Sequence, residues 1–304
     1  MQTTLVSNIV FDGVGLHSGK PVSLTVRPAQ AHSGIVFDRV DRPDDTPIPA
    51  RFDLVEDTML CTKLGLGSSA VGTIEHIMAA LAGCGVHNAY IELDGPEVPI
   101  LDGSSAPFIK GILDAGITTL DAPLRALKIK KTVRFQDGEA FAEFSPADVL
   151  RISFTIDFDA PVIGKQSKSL SMANGAFVRE LCDSRTFCNK TEVDWLKANG
   201  LGLGGGLHNA VVIDGNEVLN KSGFRHSDEC VRHKMLDALG DMALAGGPVI
   251  GHYTGHRAGH RITNMLLRTL FASEGAYEWV ECTEEQAFLL PGSDLKESDL
   301  ALIA

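Results

Sequence analysis

The sequence predicts an α+β protein made of two halves of similar build. Alternation of apolar and polar residues, typical of half-buried strands, occurs in both halves, for example in residues 22–28 (VSLTVRP) and 151–158 (RISFTIDF). Helical patterns with recognisable ends also occur in both halves. A polar, proline-containing stretch, residues 118–126, separates them. We therefore expect an N-terminal α+β domain, 1–122, and a C-terminal α+β domain, 123–304.

In the first half, a second strand is expected at residues 88–95 (NAYIELDG). A helix is expected over 74–83 (IEHIMAALAG), with Thr73 as its N-terminal cap. Another helix is expected over 106–116 (APFIKGILDAG), where the closing glycine marks its end.

The second half repeats this style of alternating strands and helices. Its expected elements are a hairpin formed by 125–135 and 139–146, a polar loop over 161–172, a helix within 173–182, a hairpin turning at Asp214-Gly215, a long helix over 228–246 capped by Ser227, a short strand within 247–255 and a last helix over 262–272.

Composition excludes several functional classes. Of the 304 residues, 44% are apolar and 22% are charged, which is typical of a globular protein. The net charge of −12 and the shortness of the basic clusters argue against nucleic-acid binding, although an acidic protein can bind an anionic ligand locally. No stretch approaches the roughly 18 apolar residues of a membrane span, and the N-terminus lacks the pattern of a secretory signal. We therefore expect a cytoplasmic protein whose six cysteines, none spaced as CxxC, are free thiols.

The long helix of the second half carries a stripe of potential metal ligands. His233, Asp237 and Asp241 are spaced by four residues, so they lie above one another on one helical face. An imidazole and a carboxylate placed in this way can bind one metal ion. On this helix alone, the competing interpretation is an ordinary ion pair on the helix surface.

The first-half helix adds an adjacent Glu75 and His76 within an apolar run, where burial is costly unless both groups have partners. His76 taken alone is better explained as a core histidine with satisfied hydrogen bonds. With His233 and Asp237 it completes a set of two histidines and one carboxylate, and catalytic zinc typically has three protein ligands. Such an ion acidifies water and polarises a carbonyl, and Glu75 is placed to act as general base. The spacing is neither the HExxH of zincins nor the pattern of nucleoside deaminases.

Two segments of the second half, 200–206 and 251–260, are rich in glycine. Residues 251–260 (GHYTGHRAGH) predict a turn-rich loop, in which one of His252, His256 and His260 can protonate a leaving amine and stabilise an oxyanion. A solvated polar loop is the alternative. Residues 200–206 (GLGLGGG) lack the Lys-Ser/Thr of a P-loop, so we interpret them as a loop with close backbone packing.

Several longer motifs resemble the UDP-3-O-acyl-N-acetylglucosamine deacetylases of lipid A biosynthesis over essentially the whole chain. The matching segments are GVGLHSGK (13–20), DTMLCT (57–62), GTIEHIMAAL (72–81), PILDGSSAPF (99–108), SRTF (184–187), VRHKMLDALGD (231–241) and GHRAGHRITN (255–264). The resemblance implies two domains, each a sheet layered on two helices, with the helix layers packed face to face and the site between the domains.

The resemblance also implies roles for individual residues. For catalysis these are zinc binding by His76, His233 and Asp237, general base catalysis by Glu75, general acid catalysis by His260 with Asp241 orienting it, oxyanion stabilisation by Thr186 and substrate binding near the metal by Lys234. For the substrate they are contacts near the reaction centre or along an acyl passage by Leu16, His17, Thr58, Met59, Leu60, Cys61 and Phe187, a passage built by residues 193–206 that include Gly205, stacking of uracil on Phe158 and binding of the diphosphate by Arg257.

The implied reaction is hydrolysis of the 2-acetamido group of UDP-3-O-acyl-N-acetylglucosamine, the committed step of lipid A biosynthesis. The implied cofactor is Zn²⁺, with Fe²⁺ as the alternative that metal supply decides. Inhibition by hydroxamate-type zinc chelators and a monomeric state are expected. Asn189 departs from the larger apolar residue expected there, and residues 163–183 match poorly, so no role is assigned to them.

Two other functions stay open on sequence grounds. One is a metal hydrolase for a different acylated amino sugar. The other is a non-catalytic binding protein whose metal is structural, which would require a closed site with four ligands.

Overall fold

The computed structural model describes residues 1–296 and residue 299. The first half contains the strands β1 (Thr3–Leu5), β2 (Ile9–Val14), β3 (Pro21–Pro28), β4 (Ile35–Arg39), β5 (Ile48–Pro49), β6 (Val55–Asp57), β7 (Lys63–Leu66), β8 (Ser69–Val71), β9 (Ala89–Leu93) and β10 (Ile117–Thr119), with the helices α1 (Glu75–Gly83) and α2 (Ala106–Ala115).

The second half contains the strands β11 (Arg125–Ile129), β12 (Val133–Asp137), β13 (Ala140–Ser145), β14 (Arg151–Asp157), β15 (Lys165–Ser171), β16 (Phe187–Asn189), β17 (Val211–Asp214), β18 (Glu217–Val218), β19 (Val249–Ile250), β20 (His252–His256) and β21 (Tyr277–Glu281). Its helices are α3 (Ala176–Glu180), α4 (Lys190–Ala198), α5 (Glu229–Ala243), α6 (His260–Ala272) and α7 (Glu284–Phe288).

The two halves share one sheet topology, which the sequence did not reveal as a repeat. The first main sheet has the order β2-β3-β9-β4-β5 and the second has the order β12-β13-β20-β14-β15. In each sheet the third and fourth strands pair in parallel, and the other neighbours pair antiparallel. The α+β class with two similar units is therefore confirmed.

Strand alternation explains how each sheet finds its buried face. In β3, Val22, Leu24 and Val26 are buried while their neighbours are partly exposed. In β14, Ile152, Phe154 and Ile156 are buried in the same alternating way. One face of each sheet thus packs on the core, as a period of two requires.

The helices α1 and α5 pack against each other, and α5 also contacts β14 and β15 of the second sheet. The two helices approach closely at Gly240, where a Cβ atom would lie 2.1 Å from the carbonyl oxygen of Glu75. Only a residue without a side chain fits there. The contact places the start of α1, with Glu75 and His76, beside the middle of α5.

Two expectations for the second half were wrong. Residues 161–172 are not all loop, since β15 pairs with β14 as the edge strand of the second sheet. One edge of an edge strand is not covered by another strand, so charged residues are common there. The Lys and Ser residues of β15 therefore show no apolar alternation that would have predicted a strand. Residues 251–260 are not a loop throughout, because β20 is the central strand of that sheet, in agreement with the short strand expected within 247–255; Gly255 there packs against the ring of Phe154.

The predicted ends of several elements also needed correction. Thr73 does not cap α1, because its hydroxyl donates to Glu97 and its backbone has a positive φ of 56°. The N-terminal residue that flanks α5 is Asp228 rather than Ser227. The linker is shorter than predicted because β10 and β11 occupy its two ends, and α7 follows the helix expected to be the last.

Among the described residues, no helix is long and apolar enough to span a membrane. All six cysteines lie in this part of the chain, and none of them is in a disulfide.

Candidate active site

The structure brings the three predicted metal ligands together from two helices. His76 lies on α1, while His233 and Asp237 lie one turn apart on α5, and all three are buried. Asp237 Oδ1 is 3.3 Å from His233 Nε2 and 3.7 Å from His76 Nε2. One ligand atom from each residue lies within 4.8 Å of the others, an arrangement that can hold a metal ion.

Unpaired polar atoms support this interpretation of the cluster. Asp237 Oδ1 and His76 Nδ1 are buried, and neither has a hydrogen-bond partner among the described residues. His233 Nδ1 lies 3.0 Å from the Ser184 carbonyl oxygen, which can only accept, so the Nε2 lone pair faces Asp237. Buried polar groups are normally satisfied, so these open positions fit a bound cation.

The charge states of the cluster also suit a metal ion. Burial lowers the pKa of His76 to about 3, reinforced by His233. Burial likewise lowers the pKa of His233. Both imidazoles are therefore neutral at pH 7 and can donate a lone pair. Burial opposes the charge on Asp237, but the cationic Lys234 and His260 nearby help to lower the pKa of this carboxyl below its usual value.

Glu75 and His260 face each other next to this cluster. Glu75 Oε1 is 3.8 Å from His260 Nε2; the Glu75 side chain is buried and the His260 side chain is 12% exposed. Burial raises the pKa of Glu75 to about 7 although the nearby His260 opposes the shift. For His260, burial is outweighed by Asp241 and Glu75, which raise its pKa to about 9. A carboxyl able to take a proton and an imidazolium able to give one thus share one site at neutral pH.

Asp241 lies behind His260, one turn beyond Asp237 on α5. Its Oδ2 is 2.9 Å from His260 Nδ1, and its Oδ1 accepts a hydrogen bond of 2.6 Å from the Thr62 hydroxyl. The sequence stripe therefore divides into two parts, since Asp237 faces the histidine pair and Asp241 faces His260.

Lys234 and Thr186 adjoin the same centre. Lys234 Nζ donates to Asp237 Oδ2 over 2.6 Å, which leaves Oδ1 as the free carboxylate oxygen. The backbone of Thr186 is held by Gly103 and Val211, and the residue lines the same cavity as His233.

A buried ion pair supports the segment that contains Ser184 and Thr186. The Arg185 guanidinium donates from Nε to Glu229 Oε1 over 2.9 Å and from Nη2 to Oε2 over 3.1 Å. Glu229 is 1% exposed and also accepts from the Arg185 backbone N–H. A bidentate pair of this kind fixes geometry more firmly than a single hydrogen bond. It therefore holds the Ser184 carbonyl that orients His233.

A cavity of about 1240 Å³ opens from the cluster of His76, His233 and Asp237. The predicted site residues that line it are Glu75, His76, Thr186, His233, Lys234, Asp237 and His260 around the cluster, and Leu16, His17, Thr58, Met59, Leu60, Phe158, Phe187 and Gly205 farther along. Phe158 and Phe187 meet edge to face, with ring centroids 5.4 Å apart. Part of the predicted passage, including Val193 and Leu196 of α4, forms an apolar wall.

Three predicted site residues do not line this cavity. Asp241 and Cys61 lie behind its wall, and burial raises the pKa of the Cys61 thiol to about 12. Arg257 follows β20, and its guanidinium donates to Glu139 and to the carbonyl oxygen of Asp157, next to Phe158. Its predicted contact with a diphosphate stays a prediction.

The glycine tract packs closely, as expected. Gly204 donates its backbone N–H to the Leu16 carbonyl, and a Cβ atom there would lie 2.3 Å from the Gly15 oxygen. Asn189, the departure from the family pattern, is the N-cap residue of α4, and its backbone N–H donates to Glu192. Any residue other than proline could make this backbone contact, and Asn189 also lines the cavity next to Phe187.

Sequence reasoning missed residues that support the site from behind. Glu97 is 5% exposed, and it accepts from the backbone of His17 and Ser18 and from the Thr73 hydroxyl. It fixes the segment that presents His17, whose two ring nitrogens are buried without a partner in the described structure. An acidic residue inside the apolar run PEVPI was the available signal. Leu207, which lines the cavity just beyond the passage predicted over 193–206, gave no comparable signal.

A family model and three relatives of similar length all match this chain under nearly the same protein name. The family model for UDP-3-O-acyl N-acetylglycosamine deacetylase (LpxC) matches residues 2–272. A relative from Pasteurella multocida is 45% identical over 289 residues, which are 94% of this chain and 95% of the relative. One from an Anaeromyxobacter species is 45% identical over 284 residues, covering 93% of each chain. One from Acidithiobacillus ferrooxidans is 46% identical over 288 residues, covering 94% of this chain and 95% of the relative. All three are named UDP-3-O-acyl-N-acetylglucosamine deacetylase.

Proposed function

The chain belongs to the UDP-3-O-acyl N-acetylglycosamine deacetylase family, and we propose that it hydrolyses the 2-acetamido group of UDP-3-O-acyl-N-acetylglucosamine. The products are acetate and a free amine, as lipid A biosynthesis requires. The observation that carries the proposal is the buried set of His76, His233 and Asp237 with Glu75 and His260 beside it, lining a large apolar cavity. A purely structural metal ion would need a fourth protein ligand, and it would not need a large cavity beside it.

We infer that the resident metal is zinc, with ferrous iron as the alternative. His76, His233 and Asp237 would hold it, and their nitrogen and oxygen donors suit either ion. When bound, such an ion polarises the amide carbonyl and makes the attacking water more acidic.

The chain's own residues supply the two proton transfers of the reaction. Glu75 takes a proton from the attacking water, for which a pKa of about 7 is well matched. His260, cationic because its pKa is about 9, gives a proton to the departing amine and favours negative charge on the carbonyl oxygen. Asp241 holds the His260 ring by its Nδ1 and leaves Nε2 toward the cavity. Thr186 is assigned a hydrogen bond to the same oxygen.

The remaining cavity suits the rest of this substrate. Its apolar wall of Leu16, Phe187, Val193 and Leu196 matches a fatty acyl chain, and the aromatic ring of Phe158, which lines the cavity and is 36% exposed, is assigned the stacking contact with uracil. The unpaired imidazole nitrogens of His17 and the ammonium of Lys234 are available to polar groups of the sugar.

Acetate release tests the proposal directly. Purified protein is assayed with UDP-3-O-acyl-N-acetylglucosamine as isolated, after treatment with a chelator, and after add-back of zinc or ferrous ion. We expect activity that the chelator abolishes and the metal restores. Absence of acetate release from protein that contains one metal ion per chain would refute the function. A matched substrate without the acyl chain separates this activity from a general amino-sugar deacetylase, because only the specific enzyme prefers the acylated form.

A further inference from the structure

Thr62 lies between the two carboxylates that flank His260. It immediately precedes β7 and is 1% exposed. Its backbone N–H donates to Glu75 Oε2 over 3.0 Å, and its hydroxyl donates to Asp241 Oδ1 over 2.6 Å. The carbonyl of Thr62 also accepts from the backbone N–H of Ile74, so the residue is tied to the start of α1.

These contacts close a ring of four groups. From Asp241 the ring continues through the 2.9 Å bond to His260 Nδ1. From His260 Nε2 it returns over 3.8 Å to Glu75 Oε1. The ring joins α1, α5, α6 and the segment before β7. Thr62 is its one uncharged member, and it contacts both acids.

We propose that Thr62 is a positioning residue whose hydroxyl sets the orientation of Asp241 and, through it, of His260. Its hydroxyl donates to Asp241 Oδ1, which leaves Oδ2 as the oxygen that faces His260. Its backbone N–H donates to Glu75 Oε2, which leaves Oε1 as the oxygen that faces the reacting groups. The role rests on the proposed function, because it assumes that Glu75 and His260 transfer protons.

Both acceptors of Thr62 are buried carboxyl oxygens. A hydrogen bond to a buried carboxylate is stronger than one between neutral groups, and loss of the donor leaves the oxygen unsatisfied. Asp241 would then be free to rotate away from His260. The competing explanation is that Thr62 only fills space with its methyl group, and this predicts the opposite ranking of variants.

The test compares Thr62→Val with Thr62→Ser. Valine keeps the shape and loses the hydroxyl, whereas serine keeps the hydroxyl and loses the methyl group. We expect Thr62→Val to lower kcat roughly 10- to 100-fold, the usual range when a hydrogen-bonding partner behind an active-site group is removed. KM and metal content should stay near the values of the unmodified protein, because no ligand or cavity residue is changed. Thr62→Ser should keep most of the activity.

Two controls separate positioning from stability. Thr4→Val removes another buried hydroxyl, which donates to the Asn88 carbonyl outside the site, and should lower the melting temperature without changing kcat. In an Asp241→Ala background, Thr62→Val should cost much less than it does alone, because residues that act through one another are not additive. If Thr62→Val does not fold, Thr62→Ala serves as the variant without a hydroxyl.

Several outcomes would overturn the positioning role. These are an unchanged kcat in the folded variants that lack the hydroxyl, a Thr62→Ser variant as impaired as Thr62→Val, and independent effects of the Thr62 and Asp241 substitutions. If the unmodified, metal-loaded protein releases no acetate, the proposed function fails instead. The two failures are therefore distinguishable.

Discussion

Asp241→Asn should shift the pH dependence of the reaction toward acid. The substitution removes the negative charge beside His260 and keeps the size of the side chain and an oxygen that can accept from His260 Nδ1. Because His260 acts in its cationic form, activity is lost as the pH rises through its pKa. A lower pKa therefore means loss of activity at a lower pH.

The expected fall in the pKa of His260 can be worked out from the stabilisation of its cationic form. The pKa of His260 is raised from 6.5 to about 9 although burial opposes the charge. At 1.36 kcal/mol per unit, the net stabilisation of the imidazolium is about 3 kcal/mol, to which Asp241 is the largest favourable contributor. An adjacent opposite charge shifts a pKa by about 1–3 units, so the basic limb should move down by a comparable amount. For a fall of about 2 units, the cationic fraction at about pH 8 drops roughly tenfold.

The assay is kcat/KM for acetate release between about pH 6 and about pH 10, which reports the ionisations of the free enzyme. Asp114→Asn is a matched control, because Asp114 forms an exposed pair with Lys110 on α2. It should leave the profile unchanged. A basic limb that stays in place in folded Asp241→Asn would show that His260 is not the group that titrates there.

Three further perturbations test the rest of the site. Asp237→Ala should abolish both metal binding and acetate release, and it should lower the melting temperature because Lys234 loses its buried partner; retention of one metal ion per chain, measured by elemental analysis, would contradict its assignment. Glu75→Gln should retain the metal but lower kcat by about 10²–10⁴-fold, the range for loss of a general base; near-normal turnover would assign the proton transfer to another group. Gly240→Ala should lower the free energy of unfolding by about 1–3 kcal/mol, because its Cβ would lie 2.1 Å from the Glu75 carbonyl oxygen. Thermal unfolding measures this loss, and an unchanged melting temperature would mean that α1 and α5 can move apart without destabilising the fold.

Much of the framework was predictable because it depends on local spacing. The strands β3 and β14 follow from alternation, and the helix stripe of His233, Asp237 and Asp241 follows from a period of four. The failures have equally local causes. The edge strand β15 is polar because one side of it faces solvent, and the glycine and histidines of β20 resembled a loop although Gly255 makes room for a phenylalanine ring.

The sequence by itself determined which residue types carry the chemistry: a Glu-His pair on one helix and a His-x-x-x-Asp pair on another. Whether these pairs meet depends on residues far apart in the chain, which no local pattern encodes. Gly240 lets α1 and α5 approach until His76 lies beside Asp237. The tertiary structure also decided that Asp237 and Asp241 face different partners, and that Thr62 joins Glu75 to Asp241, because long-range packing alone fixes the direction of a buried carboxylate.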